Sequence, residues 1–262
     1  MSFSNSNSES PSLRRFSGIS RLYGPAAFAR FQNAHVCVIG IGGVGTWAVE
    51  ALARSAIGEL TLIDLDMIAE SNTNRQIHAL GDDFGRAKVE AMAARALAIN
   101  PALRIHTIED FVTPENIGTL LAAPFDFVID AIDDTRAKVA IAAYCRDHQR
   151  PLVTAGAAGG KTDPTRIGVE DLSRTTQDAL LSRLRQQLRK HHQFPRDPKK
   201  KFGIHAVFSL EPMRRPVNGE DEARDIDGRL SCTGYGSATA VTGGFGFAAA
   251  SVVLAHLARK SD

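Results

Sequence analysis

Short apolar runs alternate with stretches of helical periodicity along the first half of the chain. His35 to Ile39 (HVCVI) is a β-branched run, too short for a helix and suited to a strand covered on both faces. Gly40-Ile41-Gly42-Gly43-Val44-Gly45 follows at once, and Thr46 to Ala56 then carries apolar residues at helical spacing. Glu59 to Ile63 (ELTLI) is a second buried strand, so the segment reads as strand, glycine turn, helix, strand. Phe84 to Ile99 predicts a helix that stops at Asn100-Pro101, with strands at Leu103 to Ile108 and Phe125 to Ile129. Arg136 to His148 is the next helix and Pro151 to Thr154 the next strand. This alternation predicts an α/β fold with a doubly wound, mainly parallel, Rossmann-like sheet.

Beyond about Gly156 the pattern changes. Strands are expected at Thr165 to Glu170 and Gly203 to Leu210, extending the same sheet, with a basic helix and loop inserted over 173–202. Thr233 to Leu257 contains no Asp, Glu, Lys or Arg and is long enough to cross a bilayer. Its glycines, serines and threonines favour a buried core helix over 235–259, and no membrane contact is expected. No repeat or Pro/Gly-rich linker divides the chain, which predicts one domain over 16–262 behind a Ser-rich, disordered tail at 1–15.

Composition narrows the partners little. The 262 residues hold 31 Lys plus Arg against 29 Asp plus Glu, so any attraction to nucleic acid must be local. Arg183 to Lys201 is such a place, with eight Lys or Arg and one acid, enough to meet several phosphates of a folded RNA. Cys37, Cys145 and Cys232 are too few and too scattered for a disulfide framework or a CxxC metal pair. A reducing, cytoplasmic setting fits them, and no zinc is expected. His191 and His192 lack a third ligand by spacing and read as surface residues.

The chemistry gathers where strands end. GIGGVG before a helix suits phosphate binding, because glycine lets the backbone approach and the helix start offers free N–H groups. Asp64 and Asp66 end the second strand about twenty residues on, where a dinucleotide fold places its ribose-binding acid. Ser71-Asn72-Thr73-Asn74-Arg75-Gln76 is a dense hydrogen-bonding array with one guanidinium, which NAD does not need and a triphosphate does. Lys88 adds a point charge. Asp133, just past a strand, suits Mg²⁺ held through one carboxylate, water and phosphate, and Asp130 can serve the turn instead.

In order and spacing, GIGGVG, LIDLD at 62–66, NTNRQ at 72–76, Lys88 and DAIDD at 130–134 resemble the adenylating domain of the ThiF/MoeB-like and ubiquitin-activating enzymes. Within that superfamily, SRLYG, TNTNRQIHAL, NPALRIHTIEDFVTPEN, CRDHQRPLVTAGAAGGKTDPTRI and CTGYGSATAVTGGFGF more specifically resemble the tRNA threonylcarbamoyladenosine dehydratases. The resemblance implies a ThiF-like sheet extended by antiparallel strands. It implies an ATP-dependent ring closure on the modified adenosine beside the anticodon, through a carboxyl-adenylate, with release of pyrophosphate and AMP.

By the same resemblance Gly40, Gly42, Gly43, Gly45, Asp64, Asp66, Asn72, Asn74, Arg75, Gln76, Lys88 and Asp133 fall on ATP-binding positions. Arg75, Lys88 and Asp133 are the catalytic set, and Asp133 stands near Mg²⁺. Arg21 matches an arginine that relatives lend to a neighbouring subunit, which implies a homodimer. Cys232 lies where some relatives keep a thioester-forming cysteine, although an inert thiol is the plainer reading. Three other readings remain open at this level: activation of the C-terminal glycine of a sulfur-carrier protein, a nucleotide-binding partner of a cysteine desulfurase, and an NAD-dependent oxidoreductase.

Overall fold

The computed structural model describes residues 11–214 and 235–259. Two helices, α1 (Pro11–Tyr23) and α2 (Pro25–Asn33), lead into β1 (His35–Ile39), α3 (Gly45–Arg54), β2 (Glu59–Ile63), α4 (Lys88–Ile99) and β3 (Arg104–Ile108). The chain continues through α5 (Ile117–Leu120), β4 (Phe127–Asp130), α6 (Thr135–Asp147), β5 (Leu152–Ala155), β6 (Ile167–Asp171), α7 (Ala179–His191), β7 (His205–Ser209) and α8 (Thr239–Arg259). One seven-stranded sheet has the order β3-β2-β1-β4-β5-β7-β6. All neighbours are parallel except β6 and β7.

The predicted strands and helices form within a few residues of their expected bounds. The N-terminus departs from expectation, because α1 begins at Pro11, inside the expected tail, and buries Phe16 against Phe28 and Ala56. Residues 1–10 lie outside the described residues.

Because strands alternate their side chains between faces, β1 sends Val36 and Val38 to one core and Cys37 and Ile39 to the other. The first core is covered by α3, α4 and α8, and the second by α5, α6 and α7. The Thr239–Arg259 helix is long and apolar enough to cross a membrane. It buries Val241, Phe245, Ala249, Val253 and Leu257 in the first core. It crosses α3 so closely that a Cβ on Gly246 would stand 2.5 Å from the Val44 carbonyl oxygen. Arg30 on α2 donates to the Leu257 and Ala258 carbonyls at 3.0 and 2.8 Å, meeting the open end of α8.

The strand order reverses at β1, whose neighbours are β2 and β4. Loops leaving the carboxyl ends of β1 and β4 therefore part in opposite directions and open a crevice, the usual ligand position in such sheets.

Candidate nucleotide site

The crevice floor is the turn after β1. Gly40 has φ 87°, and a Cβ there would lie 2.8 Å from Ile132 Cγ2 and 2.9 Å from the Ala131 carbonyl carbon. A Cβ on Gly45 would stand 1.8 Å from the Gly40 oxygen. Only glycine closes this turn. Among the described residues the N–H groups of Gly42, Gly43 and Val44 have no acceptor, and they sit at the positive end of α3, a place suited to a phosphate.

Asp64 forms the next wall. Its Oδ2 accepts from Ile41 N at 2.6 Å and its Oδ1 from Asp66 N at 2.9 Å, which pins the carboxylate against the glycine turn. Burial raises its pKa from the usual carboxylate value, and the nearby Lys88 charge opposes that rise. Lys88 is buried in the first turn of α4, with Nζ 2.5 Å from Asp66 Oδ2.

The Asn72–Gln76 array wraps over the turn. Asn72 Oδ1 accepts from Ala69 N at 3.0 Å, so the side chain closes its own loop and leaves its amide nitrogen for a ligand. The stem of Arg75 lies against Gly43, where a Cβ would be 3.1 Å from Arg75 Cγ. Its Nη1 donates to Ser71 O at 2.8 Å and to Asn74 Oδ1 at 2.9 Å. Asn74 Nδ2 donates to Ser237 O at 2.9 Å, and Thr239 Oγ1 donates to Asn74 O at 2.6 Å. Gln76 is buried with Oε1 unpartnered among the described residues.

Three further buried or half-buried residues near the strand ends carry no spacing signal. Trp47 Nε1 donates to Arg75 O at 3.0 Å and fixes that loop to α3. His78 is buried, and its Nε2 donates to Ile41 O at 3.2 Å behind the turn. Burial and the Lys88 charge push its pKa down to about 4, so the ring is neutral. Lys138 is fully buried and reaches Asp130 Oδ2 and Thr154 Oγ1, both at 3.0 Å. Thr154 in turn donates to Asp130 Oδ2 at 2.6 Å. Strand neighbours rather than sequence neighbours bring these three together.

The three acids of DAIDD thus separate by role. Asp130 holds the sheet and also takes Ile132 N at 3.3 Å in the turn, and Asp134 caps α6 through Ala137 N at 2.7 Å. Asp133 is exposed and has no hydrogen-bond partner among the described residues. It follows Ile132, which lies against Gly40, and a lone carboxylate is a hard oxygen donor of the kind Mg²⁺ takes.

With Arg75 N and Gln76 N donating to Asn72 O and a Cβ on Gly42 falling 3.9 Å from Gln76 Nε2, Gly40, Gly42, Gly43, Gly45, Asp64, Asp66, Asn72, Arg75, Gln76 and Lys88 form one neighbourhood, with Asn74 on its rim. No described contact links Arg21 to it. That residue is exposed on α1, whose Arg15 reaches the Ile99 carbonyl at the end of α4. Cys232 lies outside the described residues.

The ThiF family model matches residues 16–259. The chain belongs to the ThiF family. The tRNA threonylcarbamoyladenosine dehydratase of Haemophilus influenzae is 48% identical over 250 residues, covering 95% of each chain. The enzyme of the same name from Escherichia coli is 47% identical over 254 residues, again 95% of each. The crystal structure of the E. coli tRNA N6-threonylcarbamoyladenosine dehydratase in complex with ATP superposes with a TM-score of 0.85 at 47% identity, over 94% of each chain. Its complex with AMP gives the same values.

The basic region divides into bracing and exposed cations. α7 buries Leu181, Leu184 and Leu188. Arg185 donates to Thr175 Oγ1, while Arg189 donates to Pro195 O and lies over the Phe202 ring. These two arginines serve the fold. Arg183, Lys190, Arg196, Lys199, Lys200 and Lys201 are exposed.

Proposed function

We propose that this ThiF-family protein catalyses the ATP-dependent dehydration of N6-threonylcarbamoyladenosine next to the tRNA anticodon, giving the cyclic form, AMP and pyrophosphate. The observation that carries the reading is the crevice itself. Unpartnered turn N–H groups, a pinned ribose-side carboxylate and two cations converge there, in a chain that matches dehydratases of this name along nearly their full length.

A carboxylate resists attack until its oxygen is joined to a leaving group. Attack of the threonyl carboxylate on the α-phosphorus of ATP forms the acyl-adenylate and expels pyrophosphate. The side chain's own nucleophile then closes on the activated carbonyl and expels AMP. Both partners of the first step are negative, so the cations at the crevice lower its barrier most.

Asp64 holds the ribose, the turn amides receive phosphate oxygens, and Arg75 and Lys88 meet the charge that grows at the α-phosphate. Lys88 is paired with Asp66, and Arg75 donates to Ser71 and Asn74, so both cations are held at the crevice. Mg²⁺ held at Asp133 would neutralise the triphosphate when bound.

The exposed cations of 183–201 serve tRNA binding, and a homodimer that brings Arg21 to the neighbouring site remains part of the proposal. A cysteine desulfurase with its sulfur-acceptor system is the further partner in this reading. The buried thiols Cys37 and Cys145, the second raised to about 12 by burial, suit a reducing cytoplasm.

The test is direct. The protein is incubated with ATP, Mg²⁺ and bulk tRNA, and the nucleosides are read by mass spectrometry. Threonylcarbamoyladenosine lighter by one water, formed only with ATP and lost in Arg75→Ala, supports the reading. AMP release only on adding a carrier protein, with verified tRNA substrate unchanged, replaces the substrate and keeps the adenylation.

A further inference from the structure

We propose that His35, Glu59 and His106 form a binding site for a divalent transition-metal ion of the zinc class, at the end of the sheet opposite the nucleotide crevice. The three residues stand on β1, β2 and β3, which lie side by side. His35 is paired with Glu59, and Thr61 with His106, so all three project from the same face. Their ligand atoms lie within 4.8 Å of one another.

The donor spacing suits a small ion. Two ligands at the usual zinc distances and a tetrahedral angle are separated by about 3.4 Å. His106 Nε2 and His35 Nδ1 stand 2.8 and 3.7 Å from the same Glu59 oxygen, Oε1. Glu59 Oε2 is occupied by Arg104, with Nη2 at 2.6 Å and Nε at 3.1 Å. The guanidinium therefore fixes the carboxylate and leaves Oε1 facing the two imidazoles.

A supporting shell is also in place. His35 Nε2 lies 2.9 Å from Thr61 Oγ1. The tautomer that donates to this hydroxyl puts the lone pair on Nδ1, toward Glu59, as outer partners of metal-bound histidines commonly do. The His35 ring is further held edge-on to Phe125, with centroids 4.6 Å apart, and its backbone N–H is taken by Asp126 Oδ2 at 3.0 Å. His106 is half exposed and gives an ion its entry path. Two histidines and a carboxylate with an open fourth position match the nitrogen-and-oxygen preference of zinc, nickel and copper rather than that of magnesium or calcium. An ion there would clip the first three strands of the sheet together.

Isothermal titration of the full, tag-free chain with Zn²⁺ tests this, alongside His106→Ala and Thr61→Val. One ion per chain is expected, with His106→Ala weakening it at least about tenfold and Thr61→Val by about 10–100-fold, the usual cost of losing an outer partner. The bound ion raises the wild-type melting temperature and not that of His106→Ala. AMP formation is unchanged in either variant, because neither residue touches the crevice. Wild type that binds no Zn²⁺, or binds it as His106→Ala does, overturns the proposal and in the second case moves the ion elsewhere, for example to His191 and His192. Should His106→Ala lose its fold, His106→Gln carries the same comparison.

Discussion

Lys88 occupies the turn of α4 where a cation is opposed by the helix itself. Positive charge at a helix N-terminus costs about 0.3–1 kcal/mol, and burying the group adds to that. Such a position is costly for stability and useful for holding an anion. Arg75 is similar in kind, with its stem laid on Gly43 and its guanidinium resting on loop oxygens. Removing either cation is expected to lower AMP formation by ~10²–10³ while leaving the circular dichroism spectrum native. Turnover at the wild-type rate would take that residue out of the mechanism.

His78 makes a different prediction at the same scale. Its folded pKa, about 4, lies below the ordinary 6.5. The unfolded chain therefore binds the extra proton first, and stability that is full above pH 6.5 falls as the pH drops toward 4. Denaturant unfolding followed against pH should show this slope in the wild type and a flatter one in His78→Gln. Spacing could point to Asp64, Arg75 and Lys88 because adenylating chemistry needs their charges in a recognisable order. His78 and Trp47 escaped, since their contacts are with backbone carbonyls that the fold alone supplies.

At the level of elements, the parallel half of the sheet was legible because strands buried on both faces read as unbroken apolar runs between helical stretches. The place of β7 between β5 and β6 was not legible, since strand order depends on pairing across the sheet. The same blindness covers the cluster that spans β4, α6 and β5. Asp130, Lys138 and Thr154 are buried together, and among the described residues the lysine's charge is compensated by Asp130. Lys138→Ala leaves a buried carboxylate without its partner and should cost about 3–5 kcal/mol in urea unfolding. Adding Asp130→Asn should recover part of the loss. A double variant no better than the single would mean that packing, not charge, sets the cost.

For the whole molecule, the cations from Arg183 to Lys201 stand apart from a remainder in which acids outnumber Lys and Arg, 28 to 23. Neutralising Lys199, Lys200 and Lys201 should weaken tRNA binding. It should also reduce the slope of log affinity against log salt by about two to three, near one unit per lost phosphate contact. Affinity that does not change would place the RNA on another face. Sequence composition could locate this stretch, but only the structure separates Arg185 and Arg189, which brace α7, from the residues that face solvent.

The joint between the Asn72–Gln76 loop and α8 also bears on how the protein is made. Asn74 is held by Ser237 and Thr239, and Gly246 lets α8 press against the start of α3. A ribosome synthesising this chain completes the glycine turn, Asp64 and Lys88 long before it delivers those partners. During that interval the face of the sheet bearing Val36, Val38, Leu60 and Leu62 lacks part of its cover. The nascent chain can lay down its nucleotide cradle early, but the Asn74 side of that cradle gains its Ser237 and Thr239 contacts only when the start of α8 leaves the exit tunnel. A message cut short upstream of α8 would yield a sticky, unfinished sheet rather than a smaller working enzyme.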